Sequence, residues 1–476
     1  MRFLKKIKRA NRLRKGEEIT LHIEDVAYGG LGVARVEGMV VFVEKGLPGQ
    51  VVRARIVRKK SDYCTARIVD VLQPAPYEVP PRCEHFGVCG GCKWQHVDYS
   101  QQLRFKQAIV EDSLMRLGGF GDLSVESTLP SPDVFFYRNK MEFSFSDRRW
   151  LLSEEKEEKP KEFALGLHVP KRFDKIVDID ACYLQSAESN VILNLVKEFA
   201  RESGQVPWSA TAHTGFWRHL VVREGKHTGQ RMVNLVTSEI NKPLMKALAE
   251  KLRSSGVPVT GVVNNINRSV GSTAFGEEEW TVWGSPTIEE KLGEYTFRIS
   301  ANSFFQTNTR QAERLYDTVM DFADFAGNEI VYDLYSGTGT ISIYISDKVR
   351  QVLGIEVIES AVKDARLNKE KNRVENVEFV LGDVKDEMNR VAEILTVVGR
   401  PDVLIVDPPR AGLHPKSVKR IAEIAPDKIV YVSCNPTTLA RDAAEWKNRY
   451  QLKRVRPVDM FPHTYHIETV ALLEKK

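Results

Sequence analysis

The stretch Ile330-Val-Tyr-Asp-Leu-Tyr-Ser-Gly-Thr-Gly-Thr340 decides the fold. Five residues, four of them apolar or aromatic and two β-branched, read as a buried strand. Gly337 and Gly339 then permit a tight turn and close approach of a ligand to the backbone, and an apolar helical pattern follows. A dinucleotide fingerprint would need a third glycine, which is missing, so NAD and FAD are disfavoured. Working outward, further apolar runs recur at Gln351-Val-Leu-Gly-Ile-Glu356, Val377-Glu-Phe-Val-Leu381, Asp402-Val-Leu-Ile-Val-Asp407 and Lys428-Ile-Val-Tyr-Val-Ser433. From about Gly293, strands and helical patterns alternate, which predicts a parallel, doubly wound α/β sheet. Ligands of such sheets bind beyond the carboxyl ends of the strands. Glu356 ends the second strand about 20 residues after the glycine turn, where an acid holds ribose hydroxyls. Asp383, after the third strand, is placed to contact an adenine. Together these features predict an adenosyl cofactor.

The later strand ends carry the chemistry. Asp407-Pro-Pro-Arg-Ala-Gly412 closes the fourth strand, and its two prolines stiffen the loop and lack amide donors. Asp407 and the loop carbonyls therefore face cofactor or substrate. Loops of this kind that end in an aromatic residue suit methylation of an exocyclic amine; here Arg410 takes that place, which disfavours amine methylation. Cys434 follows the fifth strand directly and is itself followed by Asn435-Pro436, which break the chain. Most single cysteines are small buried hydrophobes, but one at the ligand-binding edge of a sheet is a candidate nucleophile. Phe461-Pro-His-Thr-Tyr-His-Ile-Glu468 leads into the last strand, Thr469-Val-Ala-Leu-Leu473. His463, His466 and Glu468 lack a further ligand pattern, so a carboxylate near the thiol is the more productive reading than a metal set.

The front of the chain differs. From Gly16 to Leu72, short alternating runs such as Ile19–Ile23, Met39–Val43 and Gln50–Val57 are separated by Gly29-Gly30, Glu37-Gly38 and Pro48-Gly49. That texture predicts a small β-barrel, with Arg53, Arg55, Arg58, Lys59 and Lys60 available for a basic face. Residues 1–15 form a basic tail (Arg2, Lys5, Lys6, Lys8, Arg9, Arg12, Arg14 and Lys15) without an acid, suited to a polyanion through counterion release. Three of six cysteines, Cys83, Cys89 and Cys92, share one Gly-rich loop. Such clustering reads as metal ligation, with Cys182 as the best fourth ligand; four thiolates fit zinc or a [4Fe–4S] cluster. A helix is expected over about Ser100 to Leu117, ended by Gly118-Gly119. Residues 130–290 read as β-rich with interspersed helix, and Ser153–Lys161 as a charged surface loop. Hydrophobic content of 42% and charged content of 28% are those of a soluble protein. With no apolar run of 18 or so residues, the expectation is a cytoplasmic, membrane-free protein, a monomer by default, with no obligate protein partner.

Asp407-Pro-Pro-Arg-Ala-Gly, Ser433-Cys-Asn-Pro and Phe461-Pro-His-Thr-x-His-x-Glu468, in that order, resemble the RNA 5-methyluridine methyltransferases, which act on transfer or large-subunit ribosomal RNA. The resemblance spans nearly the whole chain. It implies a basic tail at 1–15 and an OB-like TRAM barrel for RNA binding at 16–72. A central domain follows at 73–290, then an S-adenosylmethionine-dependent, Rossmann-like methyltransferase domain at 291–476. The Cys-x5-Cys-x2-Cys loop with Cys182 is similar to the family's [4Fe–4S] site. Tyr137-Arg-Asn-Lys-Met-Glu142 and Arg218-His219 are similar to segments that face RNA. Asn302-Ser-Phe-Phe-Gln306 resembles the segment whose glutamine contacts the cofactor. Tyr335, Gly337, Glu356, Asp383 and Asp407 are expected in the same pocket, although Tyr335-Ser336 replaces a more usual Phe-Cys pair. The implied reaction is addition of Cys434 to carbon 6 of a uridine, methylation at carbon 5 and removal of the carbon 5 proton by Glu468. Ribosomal RNA is the favoured partner, with transfer RNA as the alternative.

Overall fold

A computed structural model describes residues 13–151, 161–384 and 398–476. Most of the basic tail and most of the charged segment 153–161 lie outside the described residues. Among those described, no helix is long and apolar enough to cross a membrane.

At the front, six strands form one curled sheet. They are β1 (Glu18–His22), β2 (Asp25–Ala27), β3 (Leu31–Val36), β4 (Met39–Glu44), β5 (Val51–Lys59) and β6 (Tyr63–Gln73), in the order β1-β5-β6-β4-β3-β2. Alternate residues point inward, as a pleated strand dictates: Met39, Val41 and Val43 meet Val52, Ala54 and Ile56 in a small core of their own. The helix α1 (Tyr99–Arg116) follows the cysteine loop and is capped by the Asp98 side chain on the amide of Ser100.

The central region holds a seven-stranded sheet, order β13-β12-β11-β10-β7-β8-β9. Its strands are β7 (Lys140–Ser146), β8 (Ala164–His168), β9 (Ile176–Asp178), β10 (Trp217–Glu224), β11 (Arg231–Thr237), β12 (Gly261–Ile266) and β13 (Glu278–Gly284). Helices α2 (Ala187–Glu202) and α3 (Lys242–Ser254) bury apolar residues in the same cluster as this sheet. The hairpin β14 (Thr287–Leu292)–β15 (Tyr295–Ser300) and α4 (Thr309–Ala323) lead onward.

The last sheet has the order β18-β17-β16-β19-β20-β22-β21. Strands β16 (Ile330–Leu334), β17 (Gln351–Glu356), β18 (Val377–Leu381), β19 (Val403–Val406) and β20 (Lys428–Ser433) run parallel. The order reverses between β16 and β19, which opens the crevice where ligands bind. Side chains alternate between its two faces: Ile330, Tyr332 and Leu334 join one hydrophobic cluster, and Val331 the other. Helices α5 (Thr340–Tyr344), α6 (Glu359–Lys371), α7 (Pro415–Ile424) and α8 (Pro436–Glu445) complete the layers. Helix α1 packs against α8, placing Phe105, Ile109, Val110 and Leu114 in the first cluster. At about 1.5–3 kcal/mol for each large side chain buried, this contact binds α1 firmly to the sheet. Two antiparallel strands finish the chain. The run expected at Thr469–Leu473 is the longer β22 (Glu468–Lys475), and it pairs with β21 (Tyr450–Val458).

Candidate active site

The glycine turn leaves β16 in an unusual conformation. Tyr335, Gly337 and Gly339 all adopt left-handed φ, at 66°, 55° and 78°. Left-handed backbone at a bulky tyrosine costs energy and persists only where surrounding structure holds it; the amides of Tyr335 and Ser336 donate to Ile355 O at 2.9 and 3.1 Å. Gly339 is packed from below, since a Cβ there would lie 2.5 Å from Phe379 Cζ. A Cβ at Gly337, by contrast, would meet nothing within 4 Å. That open cradle lies beside Glu356, whose carboxylate accepts from the amides of Gly337, Val357 and Ile358 at 2.8–2.9 Å. The amide of Gly382 donates to Glu356 O at 2.8 Å, which brings Asp383 to the same edge. Thr338 Oγ1 donates to Phe304 O at 3.3 Å, fastening the segment of Gln306, itself buried, to the turn. The residues expected to hold an adenosyl group thus meet at one end of the sheet.

Asp333 and Asp407 lie at the ends of neighbouring strands β16 and β19. Burial pushes both carboxyls up to about 7, and the Asp333 charge contributes at Asp407. Ser342 donates to Asp333 at 2.5 Å.

Strand register brings the two candidate reacting groups together. Ser433 pairs with Thr469 across β20 and β22, so Cys434, just past the end of β20, and Glu468, the first residue of β22, come to the same edge of the sheet, close enough for the Glu468 charge to act on the thiol. Cys434 is partly exposed and Glu468 is buried. Burial, then the charges of Glu468 and Asp407, push the Cys434 thiol up to about 11, against the lowering effect of Arg410. Burial and Asp407 raise the Glu468 carboxyl well above its ordinary range, and Arg410 again opposes them. The site therefore holds a thiol and a buried carboxylate, both raised, with Arg410 the cation opposing both shifts.

A match to the tRNA (uracil-5-)-methyltransferase family covers residues 236–476, and a TRAM domain matches residues 12–69. The chain belongs to the tRNA (uracil-5-)-methyltransferase family. An uncharacterized RNA methyltransferase of Chlorobaculum tepidum is 46% identical over 473 residues, 98% of each chain. Another, from Bacteroides thetaiotaomicron, is 41% identical over 94% of this chain and all of its own. Among solved structures, the Pyrococcus abyssi tRNA (uracil-54, C5)-methyltransferase in complex with S-adenosyl-L-homocysteine matches with a TM-score of 0.73. It is 33% identical over 95% of this chain and 99% of its own. The protein is an S-adenosylmethionine-dependent RNA methyltransferase, and its front sheet is a TRAM domain.

Other parts of this methyltransferase converge on the same loop. The amides of Lys93 and Trp94, just after the cysteine loop, donate to His463 O at 2.8 and 2.9 Å. Lys106 of α1 pairs with Asp459 at 2.5 Å, both side chains fully buried, and also donates to Phe461 O at 3.1 Å. Gln102 Oε1 accepts from the amide of His463 at 2.9 Å. Tyr28 of the TRAM domain donates to Cys434 O at 3.3 Å. Tyr28, Lys93, Trp94, Gln102 and Lys106 were not singled out by sequence reasoning, because residues hundreds of positions apart leave no local signature of contact.

Cys83, Cys89, Cys92 and Cys182 line one cavity of about 440 Å³. Among the described residues, no three His, Cys, Asp or Glu side chains are gathered closely enough to hold a metal ion as they stand. The donors around the sulfurs nonetheless suit thiolates: the amide of Gly91 donates to Cys89 Sγ at 3.3 Å, and Gln95 Nε2 to Cys92 Sγ at 3.2 Å. Burial, with smaller effects of neighbouring sulfurs, pushes Cys89 up to about 11 and Cys92 to about 12. A bound cation inverts that preference.

In the two segments similar to ones that face RNA, Tyr137, Arg218 and His219 are buried and Glu142 is exposed. Arg218 stacks on Trp208 at 3.9 Å and donates to the carbonyls of Asn267, Ser269 and Gly271. It holds a loop whose Val270 and Phe275 are exposed.

Proposed function

We propose that this methyltransferase acts on carbon 5 of a uridine in RNA, with Cys434 as nucleophile and Glu468 as base. The pairing of Ser433 with Thr469 supports the reading, because it brings Cys434 and Glu468 to the sheet edge that holds the glycine cradle. Gln306, Tyr335, Gly337, Glu356, Asp383 and Asp407 line the proposed cofactor pocket.

Carbon 5 of uracil is a poor nucleophile until a group adds at carbon 6. Cys434 thiolate forms the S–C6 bond, and the C5=C6 electron pair moves toward carbon 5 and the carbonyl at carbon 4 as an enolate. Bound S-adenosylmethionine supplies the electrophilic methyl group that carbon 5 takes up. Glu468 then accepts the carbon 5 proton; the C–H pair reforms C5=C6 and expels the thiolate. A carboxylate raised by burial is a stronger proton acceptor once ionised, which suits this step. The uridine must leave its stack to reach the site, at a cost of a few kcal/mol.

Large-subunit ribosomal RNA is the proposed target, on the resemblance of barrel and cysteine set. Transfer RNA is the second reading, favoured by the 33% identity to an enzyme named for uracil-54 of tRNA. Incubating the protein with each RNA and measuring 5-methyluridine in nuclease digests decides between them. Cys434→Ala is expected to abolish product, and Glu468→Gln to accumulate a methylated protein–RNA adduct. Full turnover by either variant refutes its assigned role.

Cys83, Cys89, Cys92 and Cys182 are proposed to hold a [4Fe–4S] cluster. No redox step is needed in the reaction, so its role is to order this loop, which also braces His463 through Lys93 and Trp94.

A further inference from the structure

The TRAM domain reaches into the catalytic site through a single turn. Tyr28, Gly29 and Gly30 join β2 to β3, with Gly29 and Gly30 at φ 95° and 74° and the Gly30 amide donating to Ala27 O at 3.0 Å. Tyr28 Oη donates to the main-chain oxygen of Cys434 at 3.3 Å. The same ring meets Tyr465 edge-on, with centroids 6.2 Å apart and planes at 86°. Tyr465 stands three residues before Glu468, so one side chain touches the main chain of Cys434 and the segment that leads to Glu468. Beside it, a Cβ at Gly30 would lie 3.2 Å from Tyr465 Cβ, so only a minimal residue permits this approach.

The contact is anchored rather than glancing. Val26 and Leu47 of the TRAM domain belong to the same buried cluster as Leu334, Tyr431 and Ile467 of the catalytic sheet. The far side of the Cys434 peptide is already tied: the Asn435 amide donates to Ser433 Oγ at 3.1 Å, and Asn435 Nδ2 to Arg410 O at 3.1 Å. Tyr28 supplies the remaining restraint on the carbonyl. Burial, then the Cys434 charge, pushes its phenol up to about 12, so the hydroxyl keeps its proton through the working range.

We propose that Tyr28 is a positioning residue for Cys434, fixing the peptide from which the thiol projects, so that the TRAM domain is part of the methyl-transfer site as well as an RNA-binding module. This rests on Cys434 being the nucleophile. Fixing the reacting atom raises the rate of a bound complex, whereas an RNA contact alone changes affinity.

The test uses full-length protein, Tyr28→Phe, Tyr28→Ala, and RNA carrying 5-fluorouridine with S-adenosylmethionine. At saturating RNA, Tyr28→Phe is expected to slow adduct formation about fivefold, the value of one neutral hydrogen bond. Its RNA affinity and melting temperature should stay those of the wild type. Tyr28→Ala, which also loses the ring, should be slower still. Amide exchange of the peptide spanning 430–440, measured without RNA, should rise in Tyr28→Phe. An adduct rate equal to wild type, or a deficit cured by more RNA, overturns the proposal. If wild-type protein forms no adduct with either RNA, the nucleophile reading fails instead. The exchange measurement then still decides whether Tyr28 restrains the peptide, and unchanged exchange refutes it.

Discussion

The ionisation of Cys434 gives the sharpest check on the site. Its thiol is pushed from an ordinary 9.0 up to about 11 by burial and by Glu468 and Asp407. Two units correspond to about 2.7 kcal/mol against the thiolate. At pH 8 roughly one molecule in a thousand is then ionised, against about one in ten for an ordinary thiol. Iodoacetamide reacts with thiolate only, and peptide mass spectrometry separates Cys434 from the other five cysteines. Without cofactor, alkylation of Cys434 should therefore rise about tenfold per pH unit from 7 to beyond 10, without levelling near 9. Two variants should move it in opposite directions. Above pH 8 the Asp407 carboxyl, near 7, is ionised, so Asp407→Asn removes a negative charge and should speed alkylation. Arg410→Ala removes the opposing cation and should slow it. Arg410 is exposed, so each effect is set at about half a unit, or threefold, rather than the larger value of a buried charge. A plateau below pH 9, or both variants moving the rate the same way, refutes the electrostatic account.

Three further outcomes follow from named contacts. Lys106→Met strands Asp459 as an unpaired buried charge, expected to cost about 3–5 kcal/mol; Lys106→Met with Asp459→Asn should melt higher than either single variant. Gly339→Ala would set a Cβ 2.5 Å from Phe379 at φ 78°, so calorimetry should show weaker S-adenosylmethionine binding and a lower melting temperature. Cys92→Ser should lose iron and sulfide from anaerobically purified protein and loosen amide exchange at residues 459–466; a colourless, zinc-loaded wild type would exclude the cluster.

Much of the catalytic sheet was legible because its inner strands are buried on both faces and so read as apolar runs, while the edge strand β18 keeps Val377 and Phe379 buried and Glu378 exposed. Ile330–Leu334, Gln351–Glu356, Val377–Leu381 and Lys428–Ser433 coincide with β16, β17, β18 and β20. The edge strand β21 escaped notice for the opposite reason: Lys453, Arg454 and Arg456 interrupt it and Pro457 ends its pattern, as edge strands tolerate. Cys434 and Glu468 stood out because each abuts a readable strand. That they share one sheet edge depends on register, and register depends on pairing partners that no local pattern reveals. Arg218 shows what a resemblance does not carry. The family resemblance sets it toward RNA, yet its guanidinium is buried on Trp208, and three loop carbonyls accept from its two Nη atoms.

The segment from Asp459 to His466 has little secondary structure of its own, yet it must hold Glu468 against Cys434. Its order is imported. Helix α1 supplies Lys106 and Gln102, the cysteine loop supplies the amides of Lys93 and Trp94, and the TRAM turn supplies Tyr28 against Tyr465. Each contact joins positions more than 350 apart in sequence, so each closes a long loop whose entropic cost the tertiary packing must offset. A segment held this way cannot be ordered by the methyltransferase sheet alone. The segment that leads to Glu468 is thus mechanically joined to the TRAM turn, α1 and the cysteine loop, so loosening any one of the three loosens it.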